Sequence, residues 1–268
     1  MSVKAYRSMV KMRFLLLLQY RAAALAGIAT QMMWGFLKIM VLQAFYRAAV
    51  KPQPLALEQA VGYVWLGQVM FRMLPWDGDS DVQQLIRTGN VAYELCRPAD
   101  LYAMWYARAV AMRVAPTVLR AVPLFAVTLF MLPPSYALKL PSVSSLAAWL
   151  LAMVGALLLG CAMTNLMNIS MFWTISGEGI NRLMPAVMMV FSGMLVPLPL
   201  LPDWAQKVFA ILPFAGLMDT PTRFFVGELA PEEVWVFLGR QLIWTAVLIA
   251  LGRRLLRRGL QRVVVQGG

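Results

Sequence analysis

Of 268 residues, 61% are hydrophobic and only 13% are charged, about half the charged share of an ordinary soluble domain. Histidine is absent and Cys96 and Cys161 stand apart, so neither a disulfide scaffold nor a Cys/His metal site is expected. The net charge of +12 would point to nucleic acid in a soluble protein; in a lipid-solvated chain it is read by position, and no nucleic-acid partner is expected.

The first segment, 1–21, reads as an interfacial helix. Lys4, Arg7 and Lys11 recur at helical spacing on one face, while Val3, Tyr6, Val10, Phe14 and Leu17 occupy another. Gln19 and Arg21 interrupt the apolar run from Phe14 before it reaches the length of a signal-peptide core. Six windows then have the apolarity and length of a membrane-crossing helix, about 17–25 residues. They are roughly 22–46, 57–74, 114–132, 146–172, 183–200 and 234–251. Strands of a membrane barrel would alternate over about ten residues. The expected fold class is therefore all-α, a polytopic membrane protein of six transmembrane helices forming one domain over 1–268.

Between the second and third windows lies a long loop, 76–113. Asp79, Ser80 and Asp81 are N-cap candidates, with Gln84 three residues after Asp81 as in a capping box. A short helix over 82–87 would stop at Gly89, which suits a left-handed position, and a second over 91–96 closes before Pro98. After the fifth window the segment 192–228 carries Pro197, Pro199, Pro202, Pro213 and Pro221 yet stays apolar. Proline removes a donor and clashes with the preceding turn, and broken backbone at membrane depth needs protein or a water-filled cavity around it. A re-entrant or interfacial hairpin over 200–232 is expected, with short helices at about 203–212 and 217–226.

An even number of spans puts both termini on one side. If that side is cytoplasmic it holds Lys4, Arg7, Lys11, Arg13, Arg21, Arg72, Arg87, Arg97, Arg108, Arg113, Arg182, Arg253, Arg254, Arg257, Arg258 and Arg262. The other side holds Arg47, Lys51, Lys139, Lys207 and Arg223. This excess of about threefold puts both termini inside. Trp76, Trp105, Trp149, Trp173, Trp204 and Trp235 fall near span ends, where the ring suits the headgroup layer.

Two segments carry a family resemblance. The loop IRTGNVAYELCRPADLYAMWYARAV (86–110) has a basic-x-Gly turn, a short apolar helix and a proline after the second span. The stretch SGMLVPLPLLPDWAQKVFAILPFAGLMDTPTRFFVGE (192–228) has Ser-Gly, Leu-Pro-x-Trp, Leu-Pro-Phe and a late Arg and Gly. In this order and topology the chain resembles the permeases of type-2 ABC exporters, the ABC-2 family, over essentially its whole length. It is most similar to a bacterial branch, resident in the cytoplasmic membrane, whose permeases often pair with a different permease. The resemblance implies a second permease, the same or related, and a dimer of ATP-binding subunits carrying the ATP and Mg. With no G-x-x-x-x-G-K-[ST], this chain would cradle no nucleotide itself and would not be an enzyme.

The resemblance also puts a coupling helix within 82–96, with Val82, Leu85, Ile86, Arg87, Gly89, Val91, Tyr93, Leu95 and Cys96 as the ATPase-coupling set. It implies a path at the permease interface, to which the first, second and fifth spans contribute. Tyr63, Trp65, Phe71, Phe191 and Met194 are its candidates, since aromatic and sulfur side chains suit varied apolar ligands. Such residues are also tolerated facing lipid. Pro202, Trp204, Pro213, Phe214 and Arg223 mark the outer re-entrant segment.

Some residues are read singly. Ala152, Ala156, Gly160, Thr164 and Asn168 recur every four residues, a face suited to close helix packing, with Asn165 and Asn168 as secondary polar candidates. Lys38 and Arg240 lie inside spans near the outer end, where snorkelling competes with a positive lining for an anionic substrate. Glu178 and Arg182 occupy the inner loop between spans four and five, and the C-terminal arginines suit anionic membrane lipid. The rival readings are a polytopic enzyme acting on lipids and a non-transporting assembly or sensor subunit. The first lacks histidine and has only scattered acids, Asp203, Asp219, Glu228, Glu232 and Glu233, in its outer segment.

Overall fold

The computed structural model describes residues 21–174 and 178–261, with residues 8, 11, 12 and 15 ahead of them. The interfacial helix expected over 1–21 falls mostly outside these. All regular structure among the described residues is helical. Helices α1 (Arg21–Ala48) and α2 (Leu57–Val69) lead to a 3-10 turn, Phe71–Met73, and two short helices, α3 (Ser80–Arg87) and α4 (Val91–Leu95). The long α5 (Leu101–Phe130) and α6 (Val143–Ser170) follow, then α7 (Glu178–Phe191). A broken stretch holds α8 (Asp203–Ile211) and α9 (Asp219–Phe225) among 3-10 turns, and α10 (Val234–Leu260) ends the described chain.

Four of these, α1, α5, α6 and α10, are long and apolar enough to cross a membrane. The second and fifth windows hold shorter helices. With 13 residues, α2 spans about 20 Å. Its continuation is stopped at Leu74, which is extended (φ −67°, ψ 145°), as a residue before proline prefers. The 14-residue α7 gives way at Gly193, whose φ of +84° is left-handed. In the other direction, α5 starts 13 residues ahead of its window, capped by the Asp100 side chain accepting from the Ala103 N–H (2.7 Å). Arg108 and Arg113 hide this start from an apolarity count, but both are bonded inside the fold.

The core is built on α6, against which α5, α9 and α10 pack. Ala152, Ala156, Gly160, Thr164 and Asn168 are all buried there. Beside that face, at Gly155, a Cβ would stand 2.1 Å from Gln241 Oε1 of α10, and the same amide donates to Ala152 O (3.0 Å). Around α2, residues 60–69 are buried without exception. Of the tryptophans expected at headgroup level, Trp173, Trp204 and Trp235 are exposed, whereas Trp105 and Trp149 are core residues. Along α10, Arg240 contacts α8 and Leu256 packs with α3 and α4. Sixteen residues separate them, about 24 Å, so the two sets of short helices sit at opposite ends of the bundle.

Candidate functional site

At one end, α3 and α4 form a compact unit fixed by named bonds. Asp79 caps α3, its carboxylate accepting from the N–H groups of Asp81 (3.0 Å) and Val82 (3.4 Å). Arg108 of α5 holds the same carboxylate by two bonds, 2.9 and 3.2 Å, and reaches Asp81 at 3.0 Å. The Asp79 N–H donates to Asn168 Oδ1 at the end of α6 (2.8 Å), and Asn181 of α7 exchanges amide bonds with Gln83. Gly89, at φ +74°, turns the chain between the two helices. The Trp105 indole N–H donates to the buried Glu94 carboxylate (2.9 Å) and so ties α4 to α5. Val82 and Val91 are fully buried among Leu101, Tyr102, Met104, Trp105, Ile169 and Leu256.

This arrangement divides the expected coupling residues. Val82 and Val91 anchor, while Leu85, Ile86 and Gly89 are half-buried. Arg87, Tyr93, Leu95 and Cys96 face outward, with Tyr93 74% and Leu95 49% exposed. A rigid base under an exposed aromatic and aliphatic pair can transmit force from whatever grips it.

At the opposite end, the break after α7 is closed by a buried polar network. The Tyr63 hydroxyl of α2 donates to Asp219 Oδ1 (2.8 Å). Arg223 donates to Asp219 Oδ2 (3.4 Å) and grips both oxygens of Glu228. Burial pushes the Asp219 carboxyl up to about 6, against the pull of Arg223 and of the Tyr63 bond. Gly193 is required here twice, by its φ and because a Cβ would lie 2.1 Å from the Tyr63 hydroxyl. Side-chain donors satisfy carbonyls of the proline-broken stretch. Lys38 donates to Met194 O (2.6 Å), Gln206 to Pro199 O and Leu201 O, and Arg240 to Ala210 O (3.0 Å). Lys38 thus bonds to backbone in a part-buried position, whereas Arg240 makes its backbone bond while remaining exposed. Pro202 and Trp204 are exposed, Pro213 is buried, and Phe214 packs on Phe191 with ring centroids 5.7 Å apart. Among the described residues no three metal-ligating side chains converge.

A family model described as ABC-2 family transporter protein matches residues 55–267, which include both ends just described. The chain belongs to the ABC-2 transporter family. Comparisons with curated proteins and with solved structures gave no match. As a member of that family it is a multi-pass membrane protein, of a kind that typically works with an ATP-binding subunit.

In this ABC-2 family chain the expected path residues are mostly interior. Tyr63, Trp65 and Met194 are buried, Trp65 donating to Tyr136 O (2.6 Å). Phe71 packs on Trp76 and Phe191 on Phe209, and both are half-buried. Of the secondary candidates, Asn168 joins the α3 cap, and Asn165 donates to Tyr102 O (3.2 Å). Sequence reasoning missed Arg120, which lies mid-way along a span and carries the same signal, a charge inside an apolar run, that singled out Lys38. It also counted Arg113 as a loop residue. In the fold Arg113 is buried on α5, donating to Leu74 O (2.7 Å), Met73 O and the Thr164 hydroxyl.

Proposed function

We propose that the chain is the transmembrane subunit of an ATP-driven exporter of an amphipathic substrate in a bacterial cytoplasmic membrane. Six spans cross it, the short α2 and α7 completing the set, with both termini cytoplasmic. The α3–α4 unit is the coupling element, and a dimer of ATP-binding subunits seats on its exposed face. ATP and Mg belong to those subunits. Two permeases, the same or related, face one another across the path, and the proline-broken segment around α8 and α9 lies on the outer side.

The observation that carries this reading is the α3–α4 unit itself. It is bonded to α5, α6 and α7, packs on α10, and yet leaves Tyr93 and Leu95 uncovered. A loop helix with only a local role needs neither the anchoring nor the uncovered apolar pair. Purification of the tagged chain from detergent-solubilised native membranes, followed by mass spectrometry, tests it. An ATP-binding subunit should accompany the chain and be lost from the Tyr93→Asp, Leu95→Asp variant. A chain that purifies alone would move the enzyme and sensor readings ahead of transport.

A further inference from the structure

Three arginines lie along α5 and the turn below α2, one of them mid-way along a span. Arg113 and Arg120 lie seven residues apart on one face of α5, about 10 Å along its axis. Arg120 is ten residues, about 15 Å, from the Phe130 end, which is near the middle of a core of about 30 Å. Arg72, on the 3-10 turn below α2, adjoins Met73 and Leu74, whose carbonyls Arg113 reaches. On the α1 side the Arg120 guanidinium packs over Gly27, where a Cβ would stand 2.7 Å from its central carbon.

The fold pairs its other clustered arginines, Arg108 with Asp79 and Asp81, Arg223 with Asp219 and Glu228. Among the described residues it pairs none of these three with a carboxylate. Asp77 is exposed, and among the described residues neither Arg72 nor Arg120 has a hydrogen-bond partner. Buried polar atoms without partners collect on the same elements: Arg72 Nε, Arg113 Nε and Thr117 Oγ1. Thr117 is one turn from each α5 arginine, and Gln31, whose Oε1 is also unpartnered, is one turn from Gly27 on α1. Like charges taken out of water need a counter-ion, and unmade bonds on buried donors cost more than made ones return.

We infer that Arg72, Arg113 and Arg120 form an intramembrane site for the anionic group, a phosphate or carboxylate, of an amphipathic ligand. Guanidinium forks match the geometry of such anions, which a lone lysine does not. Thr117 and the free Arg113 Nε supply further donors. The site gives the proposed transport substrate a negative head. It rests on α1 and α5 spanning the membrane and is independent of which subunit supplies energy.

The test uses the purified full-length chain in a neutral detergent and follows its thermal unfolding. The probes are phosphatidylglycerol, phosphatidylcholine and inorganic phosphate. Phosphatidylglycerol should raise the midpoint and phosphatidylcholine should not. Arg120→Gln should weaken that response about tenfold, the loss of one charge-assisted contact. The same substitution should raise the midpoint of the anion-free protein, because it removes a repulsion; a merely structural arginine would lower it. Arg72→Gln breaks no hydrogen bond and serves as the second variant, with the exposed Lys139→Gln as control. A response to inorganic phosphate as well means the site reads the free anion; a response to the lipid alone means it needs the apolar chain. Equal responses to the two lipids, or equal losses in Arg120→Gln and Lys139→Gln, overturn the site. Failure here leaves the ATPase-docking proposal standing, since no partner takes part.

Discussion

The two ends of the bundle solve opposite hydrogen-bonding problems. Around α3 the surplus groups are N–H donors at a helix start, and the fold supplies acceptors: Asp79 and the Asn168 and Asn181 amide oxygens. Around α8 and α9 the prolines break the helices, carbonyls of the irregular stretch are left without intrahelical partners, and the fold supplies donors: Lys38, Gln206, Arg240, Gln241 and Trp244. The first solution is polar and can sit at a water-exposed end carrying an uncovered face. The second keeps irregular backbone satisfied in an apolar surrounding, which is the condition for its survival at membrane depth.

The paired glycines give the sharpest contrast between these ends. Gly193→Ala should destabilise by about 3 kcal/mol, from left-handed strain plus collision with the Tyr63 hydroxyl. Gly89→Ala, strained by the left-handed φ of +74°, should cost about 1 kcal/mol. Unfolding in mixed micelles measures both, and equal costs would remove the crowding argument. Next in size, Asp79→Ala should cost about 2 kcal/mol, since it uncaps α3 and strips Arg108 of its main partner. Limited proteolysis should then cut within 76–100 and not within 192–228; the reverse pattern would show that the ends are not separately held.

Smaller effects sharpen the donor and acceptor assignment. Gln206→Glu keeps size but donates nothing, and should cost about 1 kcal/mol, as much as Gln206→Leu. If the glutamate were tolerated and the leucine not, donation to Pro199 and Leu201 would not be the residue's role. A pH profile gives an independent test at the same end. The folded chain holds the Asp219 proton with a value of about 6, against 3.8 for the ordinary group. Its protonation therefore stabilises the fold fully below about pH 4, and this contribution is lost as pH rises through about 6. In Asp219→Asn, stability should change less between those limits than in the parent chain; an unchanged profile would exclude Asp219 as its source.

Local chemistry made much of this legible in the sequence. The cap at Asp79, the turn at Gly89 and the break-up of 192–228 by proline each follow from one or two residues and their neighbours in the chain. The short helices came out at 203–211 and 219–225, near their expected places. The cap itself falls on Asp79, so Gln84 does not close a box with Asp81. Features that depend on distant partners were out of reach. The early start of α5 needs Arg108 bonded to Asp79, 29 residues away. The depth of Arg113 needs carbonyls freed by the end of α2, and Gln241 reaches α6 from α10, against Gly155 and the Ala152 carbonyl. Whether Tyr93 faces out while Val91 faces in depends on α5 and α10, and no helical period over five residues decides it.

The most direct test of the central claim compares exposed apolar residues at the two ends by co-purification from native membranes. Tyr93→Asp with Leu95→Asp at α4, and Ile211→Ser at α8, all replace exposed side chains. The account predicts that the α4 variant loses its ATP-binding subunit while the α8 variant retains it, both remaining folded by size exclusion. Retention of that subunit by the α4 variant, or its loss from the α8 variant alone, would contradict the assignment of α3–α4 as the coupling element.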